Sequence, residues 1–437
     1  MIFLSGCDSP QQTADTAPIK SETKAATTSP ALFHQSIQPQ LLELPNEAFP
    51  YWRTDSAEKP ALVLFSFSPF LKAIDTSLVA EAKNLTLRGT TDELRRHGYL
   101  NTAEPVIMPI QTVTAALEAG LFSKLYWVFS TTENLETLQP QLFRMQLIEQ
   151  QVLTKEEAAA IEYSDGIFTG TIRGIPFEAR HPQRLMNIEG PLVVHVDLGY
   201  FRGLYENEKN SPIYSLLKNT AKTIRSANLQ PIATTLSYST LEGEISLELR
   251  FIMKALAEMI RHPEQLDTEL PEEWKLRGDA LLADATSSEE DKVTQAQKLV
   301  SIAPESASAQ YDLFRALFKN RQLQPSLDTL AKLVELDPGY GTIYSLMAEV
   351  SIKAGNAAMG IELLDKAIPL FPENPFLILQ KAHIFSVFQQ YDKAIEVLDL
   401  LPEKWSPVFH DKIPAVIDKI RNQQAEDKAM QAKESEN

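Results

Sequence analysis

Residues 335–372 read ELDPGYGTIYSLMAEVSIKAGNAAMGIELLDKAIPLFP. The stretch runs between two proline-bearing turns, Pro338 and Pro372, and the same spacing of 34 residues leads back from Pro338 to Pro304. The prolines sit in SIAPES, ELDPGY and LFPENP. A period of this length accommodates two helices and two turns. Between the turns, Tyr344, Met347 and Ala348, then Ile361, Leu364 and Ala367, fall at helical spacing. Alanine at a crossing lets two helices approach while large neighbours fill the gaps beside it. Proline closes each second helix because it has no backbone N–H to donate.

This period and packing pattern resemble the tetratricopeptide repeat. The resemblance implies helix–turn–helix units stacked into a solenoid whose concave surface takes a peptide, a helix or a partner domain. In the next unit Ala382, Phe385, Ala394, Ile395 and Leu398 repeat the pattern, and QQYDKAIEVLDLLP reads as its second helix. The unit ending at Pro338 is poorer, with Phe314, Ser326 and Leu333 where the repeat usually has small residues. Trp274–Ala303 reads as a degenerate unit with WKLRGDALLADA as its first helix. The expected solenoid covers 271–423, as three units and a partial one. HDKIPAVIDKIRNQ (His410–Gln423) caps it, and a polar tail follows over 424–437. The competing expectation is a solenoid that packs only against the chain's own neighbouring domain.

Upstream, over 48–263, the pattern changes. ALVLFSF (61–67), PVIMPI (105–110), KLYWVFS (124–130), GPLVVHVDL (190–198) and PIATTLSYS (231–239) are short apolar runs that read as buried strands. Helical patterns lie between several of them, as in QTVTAALEAGLF and SPIYSLLKNTAKTIRSANL. The alternation predicts an α/β domain with a mostly parallel sheet covered by helices on both faces. GIFTGTIRGIPFEAR (166–180) alternates and carries glycines, which predicts a β-hairpin at an edge.

In such sheets functional groups collect beyond the carboxyl ends of the strands. His195 and Asp197 alternate on one strand, so both point to the same face and are candidate ligands for a divalent metal. The context Asp197-Leu198-Gly199-Tyr200-Phe201, with LSYSTLEGEISLELRF (236–251), resembles arginase–deacetylase-like hydrolases, in which a strand ends in Asp-x-Asp. That resemblance implies a metal site, but Gly199 stands where the second Asp would be. Only seven histidines occur, with no HxxxH or HxH pair, whereas a catalytic metal usually needs three or more protein ligands. The competing reading has Asp197 capping the following loop and His195 as a satisfied buried residue. Ser237, Ser239, Thr240, Glu242 and His181 have no spacing that defines a triad. No GxGxxG, P-loop or GxSxG motif is present.

The chain opens MIFLSGCDSP, with its single cysteine at position 7. Leu4-Ser5-Gly6-Cys7 resembles the lipobox of bacterial lipoproteins. The resemblance implies diacylglycerylation of the Cys7 thiol and cleavage before it, leaving 1–6 as the remnant of a signal peptide whose true start lies upstream. Asp8 resembles an enterobacterial inner-membrane retention signal, and the choice between inner and outer membrane stays open. Residues 7–47, rich in Thr, Ser, Ala, Gln and Pro, are expected to form a disordered tether.

Composition narrows the function further. The net charge of -17 gives no counterion release on nucleic acid, so no nucleic-acid partner is expected. It also opposes docking on an anionic bilayer without a lipid. One cysteine excludes an internal disulfide and a thiolate zinc cluster. The resulting expectation is a lipid-anchored envelope protein facing the periplasm, without a cofactor. Its membrane contact is the N-terminal lipid, its repeats hold a protein partner, and its α/β domain is non-catalytic. The alternative is a divergent metal-dependent hydrolase whose repeats recruit substrate.

Overall fold

The computed structural model describes residues 29–435, apart from 55, 57, 132–134, 137, 186–187, 206–210, 242 and 285. Its first part is one sheet of β1 (Gln40–Leu42), β2 (Ala61–Ser66), β3 (Lys124–Phe129), β4 (Glu162–Ser164), β5 (Ile167–Ile172), β6 (Ile175–Arg180), β7 (Leu192–Asp197) and β8 (Pro231–Ser237). The spatial order is β1-β8-β7-β2-β3-β6-β5-β4. Pairing is parallel from β1 to β6 and antiparallel through the hairpin β6–β5–β4. The hairpin turns at Arg173 and Gly174, both at positive φ, which matches the twist of a two-residue turn.

The central strands are mostly apolar because both faces are buried; every residue of β2 and β7 is buried. On one face lie α1 (Phe49–Trp52), α2 (Val79–Arg88), α3 (Thr91–Arg96), α4 (Thr112–Glu118), α5 (Pro140–Glu149) and α6 (Lys155–Ala159). On the other lie α7 (Gly199–Tyr205), α8 (Ile213–Ser226) and α9 (Arg250–Arg261). Going from β2 to β3 the chain steps one way along the sheet; going from β7 to β8 it steps the other way. Crossovers of a single hand therefore place the two sets of helices on opposite faces.

The second part is all-α. Antiparallel pairs form from α10 (Glu272–Ala283) and α11 (Glu289–Ile302), α12 (Ala307–Lys319) and α13 (Leu323–Leu336), α14 (Thr342–Lys353) and α15 (Ala357–Ala367), and α16 (Pro375–Val387) and α17 (Tyr391–Leu398). The long α18 (Ile413–Ser435) closes the stack. Ala348, Ala367, Ala382 and Ala394 are fully buried at the crossings. Gly360 permits a close approach of α14 and α15: a Cβ there would lie 2.6 Å from Ile352 Cγ1. The degenerate first unit is a complete helix pair, capped by Ser288, whose Oγ accepts from the Asp291 N–H.

Three expectations change. The tether does not reach residue 47. Leu32 and Phe33 are buried, the Leu32 N–H bonds Leu229 O at 2.8 Å, and β1 completes the sheet edge beside β8. Three residues of strand and two buried apolar side chains are too short a pattern to stand out in a polar segment. PVIMPI is no strand but a largely buried loop running into a 3-10 turn at Pro109–Gln111, in which the N–H groups of Val106 and Ile107 both go to His97 O. Pro105 and Pro109 bracket it and cannot donate to a ladder. The tail beyond Gln423 continues α18, held where Gln424 and Lys428 reach Asp392. Its Ala, Gln, Glu and Lys are strong helix formers. Among the described residues no helix is long and apolar enough to cross a membrane.

Candidate functional site

The chain leaves β2 and β7 in opposite directions although the strands are neighbours, so their carboxyl ends form the topological switch point of the sheet. His195 and Asp197 sit there and project to the same face, beside Trp52 of α1. Both are buried, and a continuous hydrogen-bond chain runs through them. Trp52 Nε1–H donates to Thr235 Oγ1 at 3.0 Å, and Thr235 Oγ1 lies 2.8 Å from His195 Nδ1. Ser237 Oγ lies 3.1 Å from His195 Nε2 and donates to Asp197 Oδ2 at 2.6 Å. Ser237 has one proton and gives it to Asp197, so Nε2 carries the ring proton and Nδ1 accepts from Thr235.

Ser239 also donates to Asp197 Oδ2, and the Gly199 N–H donates to Oδ1 at 2.8 Å. Burial lowers the His195 pKa to about 3 and keeps the ring neutral. Burial pushes the Asp197 carboxyl up, against the lowering pull of Ser237, Ser239 and the Gly199 N–H. Ser239 adopts φ 51°, a strained conformation for a non-glycine residue, and its hydroxyl is pinned on Asp197.

The arrangement differs from that of a catalytic triad. A Ser–His–Asp triad needs the carboxylate on the imidazole and the hydroxyl open to substrate. Here the hydroxyl of Ser237 stands between the two, and all three side chains are buried. Both His195 nitrogens are occupied, and among the described residues no group of three or more His, Cys, Asp or Glu comes together as a metal-binding set. A Cβ at Gly199 would lie 2.8 Å from Asp197 Oδ1, so glycine is what lets Asp197 receive the backbone at the start of α7. The other candidates disperse. Thr240 accepts from Arg250, and His181 packs on Phe129. Glu242 and Cys7 lie outside the described residues.

A second polar cluster, absent from the sequence reading, joins the two parts of the molecule. Arg250 at the start of α9 donates two bonds of 2.8 Å to Glu43 and one of 2.9 Å to Asp337 in the solenoid turn ELDPGY. It also donates to Thr240 and stacks over the Tyr238 ring at 3.9 Å. Lys254, one turn along α9, reaches Asp337 at 3.0 Å. Arg277 of α10 is equally buried. It pairs with Asp312 at 2.6 Å, donates to Tyr214 of α8 at 2.9 Å and covers Phe251 of α9.

The solenoid thus lays one edge along the α/β domain. The edge is made by the turns that separate one helix pair from the next: Asp337 meets Arg250, Glu373 accepts from Tyr99, and the Ser406 N–H donates to Ala103 O. His410 Nε2 lies 2.9 Å from Thr102 O. The first helices of the first two units also face the domain, with Trp274 stacked on Tyr214 and Arg315 paired with Glu248. The only signal in the sequence is the Asp-Pro-Gly of this turn, where the other turns have Ala-Pro-Glu and Phe-Pro-Glu.

These features define the class of the protein by its fold: an α/β domain with a mostly parallel sheet, docked on an all-α helical solenoid. No protein-family profile matches the chain, and no curated protein matches it. Among the solved structures similar to part of it are three that carry the name MamA. A structure described as MamA protein is 19% identical over 32% of this chain and 74% of its own, with a TM-score of 0.25. A second, described as MamA, is 18% identical over 36% of this chain and 92% of its own, with a TM-score of 0.25. A MamA RS-1 ArsTM double mutant is 18% identical over 40% of this chain and 85% of its own, with a TM-score of 0.24.

Proposed function

We propose that the protein is a scaffold of the bacterial cell envelope. A lipid on Cys7 anchors it to the inner or outer membrane, it faces the periplasm, and its α/β domain is non-catalytic. Its protein partner docks on the part of the solenoid that the α/β domain leaves open.

One observation carries the reading. Helices α10 and α12 pack against the chain's own α8, α9 and the segment before α9. The later units are not so covered: Leu346 and Val350, one turn apart on α14, are each 56% exposed, and Val387 and Phe388 at the end of α16 are exposed too. Two large apolar side chains on one helical turn make a stripe, whereas scattered single ones need no partner.

The test uses the full chain in a bacterial host, with a photo-crosslinking amino acid at Leu346. The expected result is a discrete adduct with another protein, lost when Val350→Glu is added while the melting temperature holds. Absence of an adduct, or one that survives Val350→Glu, overturns the partner surface. Separately, Cys7→Ala is expected to move the protein from the membrane to the soluble fraction; an unchanged distribution overturns the anchor.

A further inference from the structure

We draw no further inference here: the strongest candidate, the groove of about 840 Å³ between helix α3 and the solenoid turns at Pro372 and Pro402, is lined by charges of both signs beside its leucines, and nothing in the structure shows what covers it.

Discussion

The guanidinium of Arg250 and the carboxylate of Asp337 meet at 2.9 Å across the junction of the two parts of the chain, and both side chains are buried. Asp337 belongs to a turn of the repeat, and Arg250 opens the last helix of the α/β domain. The pair has further partners on both sides, Glu43 and Thr240 for Arg250, Lys254 for Asp337. Mutual attraction offsets the cost of burying such charges only when the remaining groups are also bonded, as they are here.

Arg250→Met should therefore leave Glu43 without its guanidinium and Asp337 with Lys254 as its remaining cation. The expected loss is about 3–5 kcal/mol of folding stability, the range for breaking a buried pair. Urea unfolding of the full chain measures it. Arg250→Lys should recover only part, because an ammonium cannot serve Glu43 bidentately. A loss below about 1 kcal/mol, the level of an exposed pair, would show that the junction is not held this way. Asp337 is kept below the usual carboxylate range by Arg250 and Lys254 despite its burial. Its contribution is present above the unfolded carboxylate pKa and is lost as pH falls through the lower folded value.

Gly339→Ala probes the same contact without touching a charge. A Cβ there would stand 2.1 Å from Arg250 Nη2, and the guanidinium is held by Glu43, Thr240 and Asp337 rather than free to swing. The expected cost is about 1–3 kcal/mol, as for overpacking a filled site. Equal melting temperatures for variant and parent would mean that the guanidinium moves freely.

His195 gives a pH signature. Its folded pKa of about 3 lies below the ordinary histidine value of 6.5, so between these limits the unfolded chain binds one proton more than the folded one. Stability should fall as pH drops below 6.5, by up to about 1.4 kcal/mol per pH unit from this residue alone. His195→Gln should remove one proton from the measured slope of stability against pH. A His195 resonance, assigned by its loss in His195→Gln, that titrates near 6.5 by NMR in the folded chain would refute the buried, neutral assignment.

Asp197 separates the structural reading from the hydrolase alternative. Asp197→Ala leaves the Ser237 and Ser239 hydroxyls and the Gly199 N–H without their acceptor. The expected loss is about 2–4 kcal/mol, summed over several buried groups at roughly 1–3 each with partial compensation. Metal analysis of the purified full chain accompanies it. About one Zn, Mn or Fe per chain, lost in His195→Ala, together with an unchanged melting temperature for Asp197→Ala, would favour the hydrolase.

Deleting the chain from Pro271 onward should not yield a well-behaved α/β domain. Trp274 and Leu281 pack in the same core as Tyr214 and Phe251, and Leu44, Tyr99 and Leu241 lie in a core completed by the solenoid. The truncated chain is expected to aggregate or to melt well below the full chain in differential scanning fluorimetry. A soluble truncation with an undiminished melting temperature would show that the two parts are independent.

Much of this architecture was legible locally. The 34-residue period, the alanines at the crossings, the four strands β2, β3, β7 and β8 and the hairpin at 166–180 are carried by spacing within a few turns or one strand. So was the shared face of His195 and Asp197, because alternation on a strand fixes it. What these two residues touch was not: Thr235 and Ser237 lie 40 and 42 positions away on the neighbouring strand, and Trp52 comes from the first helix.

The sequence by itself therefore determined the two kinds of structure and their order along the chain, since periodicity is a local property. The tertiary structure decided the rest. It placed Gln40–Leu42 as an edge strand beside β8. It also chose Glu43 and Asp337, 207 and 87 positions from Arg250, as that residue's partners. A buried guanidinium must be matched by whichever carboxylates the packed domains bring to it, and no local pattern encodes that meeting.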